Sequence, residues 1–60
     1  MLFLEFTLAY ENKPILVNVG NIVSIAGEEA TGSCFIELTT RAIKVKSSYT
    51  EVIAYMEEHI

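Results

Sequence analysis

Ser48 followed three residues later by Glu51 is a capping box, in which each side chain satisfies a backbone N–H that the first turn of a helix leaves unpaired. It places a helix start at Tyr49. Beyond it Tyr49, Val52, Ile53, Met56 and Ile60 recur at helical spacing as one apolar stripe, while Thr50, Glu51, Ala54 and Glu58 fall on the far side. The helix is predicted over about 49–59, and its stripe needs a surface to cover.

Residues 1–46 read as that surface. Met1 to Tyr10 alternates with period two, placing Leu2, Leu4, Phe6, Leu8 and Tyr10 on one face of a long strand. Glu11-Asn12-Lys13 is a polar turn, and Pro14 can open the next strand because the first residue of a strand needs no N–H donor. Ile15, Val17 and Val19 then share a face, until Gly20-Asn21 offers a turn or bulge where positive φ is tolerated. Ile22 to Ala26 is a third strand, with Val23 and Ile25 opposing Ile22 and Ser24. Gly27 to Gly32 is the most polar and glycine-rich segment and is expected to be the longest, most mobile loop. Ser33 to Thr39 alternates again, Thr40-Arg41 turns, and Ala42 to Lys46 points Ile43 and Val45 inward and Lys44 and Lys46 out.

The expected fold class is therefore α+β. It is a small antiparallel sheet of about five short strands followed by one C-terminal amphipathic helix, all in a single domain spanning 1–60. A helix of this length is roughly 18 Å long and covers part of one sheet face. Phe3, Leu16, Val23, Ile25 and Phe35 then lack a covering layer, and a second subunit is the simplest source of one, either sheet against sheet or with the first strand pairing edge to edge across a two-fold axis. Size argues the same way. A chain of 60 residues buries only about 60% of its unfolded surface. A single cysteine excludes an intrachain disulfide, and Cys34 with His59 makes too few soft ligands for a zinc cage. A homo-oligomer is the remaining reinforcement, and 52% apolar residues fit it.

Formal net charge is −4, from eight glutamates against Lys13, Arg41, Lys44 and Lys46, which disfavours nucleic acid as a partner. Glu5 interrupts the apolar start before a membrane span is reached, so a cytoplasmic location without membrane attachment is expected. Cys34 reads as a small core residue, because Cys34 and His59 lie on different elements with no orienting Asn or Asp, and an enzyme is not expected. Glu28 and Glu29 with Glu37 are too few oxygen ligands for a hard metal. No cofactor is expected.

Two surfaces are candidates for binding. Arg41, Lys44 and Lys46 form a basic strip that either keeps an edge strand soluble or holds an anion, with Tyr10, Tyr49 and Tyr55 as aromatic candidates beside it. Tyr49 also belongs to the helix stripe, and Tyr55 is the one grouped with the ligand-binding residues, as an interface edge at a subunit junction. Glu28, Glu29 and Thr31 of the polar loop are the candidates for a protein partner. Val17 to Ile25, then Cys34 to Thr39, then Val45 to Ile53 together resemble small bacterial and phage β-rich proteins of the FlbD-like type, and the strand leading into the Ser48 cap is also similar to the tail of LytTR-type DNA-binding domains. The first resemblance implies an accessory protein of a phage or other mobile element. The expected function is a non-enzymatic homo-oligomeric binding protein that blocks or sequesters a host component. The alternatives are a small-ligand sponge holding a nucleotide signal on the basic strip, and a nucleic-acid-binding regulator.

Overall fold

The computed structural model describes residues 2–60; Met1, at the head of the first predicted strand, lies outside the described residues. In chain order the elements are β1 (Phe3–Thr7), β2 (Pro14–Asn18), a 3-10 turn (Val19–Asn21), β3 (Ile22–Glu28), β4 (Ser33–Leu38), β5 (Ala42–Val45) and α1 (Tyr49–His59). The class is α+β and the strands are antiparallel, as the alternation predicted. The single sheet is corrected: β1 and β2 form one, and β3, β4 and β5 form another.

The behaviour of β1 explains the division. Along one edge it bonds to β2, bracketed by Val19 N–H to the Leu2 carbonyl at 2.9 Å and Leu8 N–H to the Lys13 carbonyl at 2.8 Å. Just past its end, the opposite edge meets β5 instead. Lys46 N–H donates to the Thr7 carbonyl and Ala9 N–H to the Lys44 carbonyl, both at 2.9 Å, around a bridge between Leu8 and Val45. The two sheets join at this seam, and at the opposite corner the 3-10 turn carries β2 into β3. β1 therefore has β2 as its ladder partner, and β5 touches its second edge only from Thr7 onward.

Rolling the strands in this way supplies the second layer from within the chain. Leu4, Phe6 and Val17 meet Cys34, Ile36, Ile43 and Val45 of the other sheet and Val52 of the helix in one core. Ile25, expected among the uncovered residues, packs against that core, because the register slips between Ile22 and Ser24 and the bulge at Val23 resets the alternation. Phe3, Leu16, Val23 and Phe35 stay outside.

Two turns differ from expectation. β3 runs on through Gly27 and Glu28, so the polar loop shrinks to Glu29–Gly32, closed by Gly32 N–H to the Glu28 carbonyl at 3.0 Å with Gly32 at φ 70. The longer connection is residues 8–13, where Asn12 takes φ 56. At Gly20-Asn21, where a turn or bulge was expected, the chain makes the 3-10 turn, without positive φ at Gly20. Asn18 caps it, accepting from Gly20 N–H at 3.0 Å.

The helix starts where the sequence placed it. Ser48 N–H donates to Glu51 Oε1 at 2.9 Å and Glu51 N–H donates to Ser48 Oγ at 3.2 Å. Val52 is the fully buried contact, Ile53, Tyr55 and Met56 flank it, and Tyr49 and Ile60 remain exposed. Tyr49 crosses Gly27 so closely that a Cβ there would lie 2.8 Å from the Tyr49 Cβ, which reserves position 27 for glycine.

Removing the cap through Ser48→Ala is expected to cost about 1 kcal/mol, lowering Tm by roughly 4–8 °C in a domain of this size. The bond from Ser48 N–H, then that with the Ser48 hydroxyl, holds the Glu51 carboxyl below the usual carboxylate range. A depressed folded pKa adds stability above the unfolded value, lost as pH falls through the folded one. The stability gap between the native chain and Glu51→Gln, read by thermal unfolding, should therefore close as pH drops below about 4.

Candidate functional site

The outward face of the three-stranded sheet gathers the most chemistry in the molecule. Cross-strand register aligns Ala26 with Phe35 and Phe35 with Lys44, so these side chains form one row across β3, β4 and β5. Glu28 stands two residues further along β3 on the same side. Lys44 Nζ lies 2.8 Å from Glu28 Oε2, 5.1 Å from the Tyr10 ring centroid and 5.4 Å from that of Phe35. It also donates to the Tyr10 hydroxyl at 3.3 Å. Its side chain is only 9% exposed.

The electrostatics follow from this enclosure. The bond to Glu28, then that to Tyr10, pushes the Lys44 ammonium above the usual lysine range, opposed by partial desolvation. Glu28 Oε2 is buried and has no hydrogen-bond partner besides the ammonium it touches. Lys44 and Glu28 thus neutralise one another, where the sequence pattern had assigned one to an anion-binding strip and the other to a partner-binding loop.

The remaining predicted residues are spread around the fold. Arg41 is exposed and lines a depression of ≈ 230 Å³ with Tyr10, Glu11, Phe35 and Lys44. Lys46 is exposed one residue beyond β5, tied by its backbone to Thr7. Tyr55 faces the other way. Its hydroxyl accepts from Glu5 N–H at 3.3 Å, and its ring stands edge-on to Phe6 at 5.5 Å and to His59 at 4.9 Å. Tyr55 serves β1 as a substitute strand where β5 has turned away to begin the helix. Within one chain it does not join Arg41, Lys44 and Lys46.

Glu29 and Glu28 border a second open depression, ≈ 400 Å³, with Gly32, Ser33, Tyr49 and Thr50 at the helix start. Thr31 Oγ1 accepts from Ser33 N–H at 3.3 Å and so stiffens the turn. Cys34 is completely buried, and desolvation pushes its thiol up, away from the nucleophilic thiolate. Among the described residues, no group of three or more His, Cys, Asp or Glu side chains is placed to hold a metal, and no helix is long and apolar enough to cross a membrane.

Phe35 is the member of the Lys44 cluster that pattern reading missed, whereas Tyr10 was among the aromatic candidates beside the strip. Phe35 was legible as an outward residue of its strand, but its pairing with Lys44 required the β4–β5 register. No family model, no curated protein and no solved structure matches the chain. The site therefore rests on its geometry alone.

Lys44→Met would leave a buried Glu28 oxygen without its cation and is expected to lower the urea midpoint; adding Glu28→Gln should recover part of that loss. A double-mutant cycle showing no coupling would refute the pair. Because the folded Lys44 pKa is raised, the pair contributes fully below the unfolded lysine value and is lost as pH rises through the folded one. The stability difference between the native chain and Glu28→Gln should therefore shrink above about pH 10.4.

Proposed function

We propose that the chain is a non-enzymatic, self-associating binding protein that acts by covering a surface of another protein. The observation that supports this reading is the division of its apolar side chains. The core is complete inside the molecule, while Leu16 is 63%, Val23 61% and Phe3 45% exposed on the outer sides of the two sheets. Their exposure is not an accident of loose folding. The accessible surface of 4054 Å² is close to the about 3,900 Å² expected of a compact monomer of 6.7 kDa. What distinguishes the surface is the size of the apolar groups placed on it, with the polar residues Glu5, Thr7 and Asn18 beside Phe3 and Leu16 on the β1–β2 face.

The acidic side chains set the expected character of the partner. With Lys44 engaged by Glu28, the exposed Glu29, Glu57 and Glu58 are left to favour a basic partner surface. The FlbD-like resemblance supplies the setting: an accessory protein of a phage or mobile element whose target is a host component.

The nucleotide-signal sponge draws support from the depression that unites Arg41 with the Tyr10 and Phe35 rings. Arg41 would carry the anion there, since the Lys44 charge is already neutralised, and the aromatic edges would hold a base. Net charge keeps the nucleic-acid regulator behind both.

Native mass spectrometry of the protein isolated from its own host, joined with affinity capture by the native chain and by Phe3→Ser/Leu16→Ser, separates these readings. Protein targeting requires one captured protein that the folded double variant fails to hold. A bound mass of a few hundred daltons, lost with Arg41→Glu and unaffected by the double variant, would replace it with the sponge.

A further inference from the structure

We infer that the outer edge of β2 is the self-association edge, and that two copies pair through it, antiparallel, about a two-fold axis at Leu16. This rests on the self-association reading above and names its interface. Along β2 the residues bonded to β1 alternate with residues whose backbone groups point away. The bonds at Lys13 and Val19 fix the odd-numbered positions as inward, leaving Pro14, Leu16 and Asn18 facing outward. Among the described residues, no hydrogen bond in the structure engages those outward groups from another strand, and Leu16 and Pro14 are exposed.

The groups on this edge match themselves in one register. With Leu16 opposite Leu16 of the second copy, each Leu16 N–H meets the other's carbonyl. Pro14 then lies opposite Asn18, and the Asn18 N–H meets the Pro14 carbonyl, giving four hydrogen bonds across the axis. The one missing donor does no harm. Pro14 has no N–H, and the carbonyl it would have served belongs to Asn18, which as N-cap of the 3-10 turn already accepts the first bond of that turn. Sliding the register by two residues in either direction sets Leu16 against the absent Pro14 donor or against the engaged Asn18 carbonyl, so each alternative strands backbone groups. On the inner side of the joined sheet, half-buried Ile15 gains Val17 of the second copy as neighbour; on the outer side the two Leu16 side chains meet beside Phe3.

The competing edges are less regular. β3 carries a bulge at Val23 that breaks its ladder, and on the second edge of β1 the Glu5 N–H is taken by the Tyr55 hydroxyl and the Thr7 carbonyl by the Lys46 N–H. Edge pairing over so few residues falls below the ~1,200 Å² typical of stable interfaces, so the dimer is expected to dissociate in the micromolar range or weaker.

The test uses the full chain made by chemical synthesis, with and without an N-methyl group on the Leu16 backbone nitrogen, which removes the donor and keeps the side chain. Sedimentation equilibrium from micromolar to millimolar concentration should show a monomer–dimer equilibrium for the native chain and a monomer of unchanged circular dichroism for the N-methyl chain. Leu16→Lys, at an exposed position, should also be monomeric, and the Leu16 and Asn18 amides of the native chain should exchange hydrogen more slowly as its concentration rises. A dimer that survives both changes with no protection at those amides overturns the edge but leaves self-association standing through another surface. A native chain that stays monomeric throughout overturns both.

Discussion

The pairing of Thr7 to Ala9 with Lys44 to Lys46 is the constraint on which the rest of the fold depends. A two-stranded and a three-stranded sheet of such short strands each have one apolar face and too few residues to bury it alone. Two backbone bonds and a bridge at the seam bring those faces together, and Leu4, Phe6 and Val17 then complete a core with Ile36, Ile43 and Val45. The seam also determines where the helix begins. Once β5 has met β1, the chain turns outward at Ser47 and Ser48, and Tyr55 returns from the helix to satisfy the Glu5 N–H that β5 no longer reaches. One residue thus repairs the strand edge that its own helix opened.

Local pattern was enough to read the order of the strands and the start of the helix, and not enough to read where the first and third strands end or how the strands join. The capping box placed the helix start, because cap and partner lie three residues apart and need nothing from elsewhere. Pro14 opened its strand and Asn12 took the turn for equally local reasons. The roll into two sheets depends on contacts between residues far apart in sequence, such as Leu8 with Val45, which carry no periodic signature. The same holds for the bulge. Ile22, Val23, Ser24 and Ile25 alternate on paper, and only the pairing with Glu37 and Leu38 shows that Ile22 and Ile25 share the core side.

The candidate site failed to be legible for a different reason. Arg41, Lys44 and Lys46 look like a basic strip when charges are counted along one strand, but a strand's neighbours decide what its charges do. Glu28 was read as loop because glycines bracket it, whereas Gly27 lies in the strand to admit Tyr49 and Gly32 supplies the φ of the turn. Extending β3 by two residues brings Glu28 within reach of Lys44, and a strip of three cations becomes one enclosed ion pair with an exposed cation on either side. The Tyr10 and Phe35 rings then flank the ammonium at 5.1 and 5.4 Å, so any ligand would meet Lys44 already paired with Glu28.

Enclosure of Lys44 also bears on where a partner can bind. The outer face of β3, β4 and β5 has its central charge neutralised and covered by rings, so this face presents Phe35 and Tyr10 as apolar rather than cationic features. The outer face of β1 and β2 presents Phe3 and Leu16 beside an edge with unpaired backbone groups. A backbone edge carries register and direction; a flat apolar face carries neither. If β2 pairs with its own copy, the edge is used up in assembly, the Phe3 and Leu16 patches of two chains become continuous, and the surface offered to a third molecule is twice as large as one chain of this size can display.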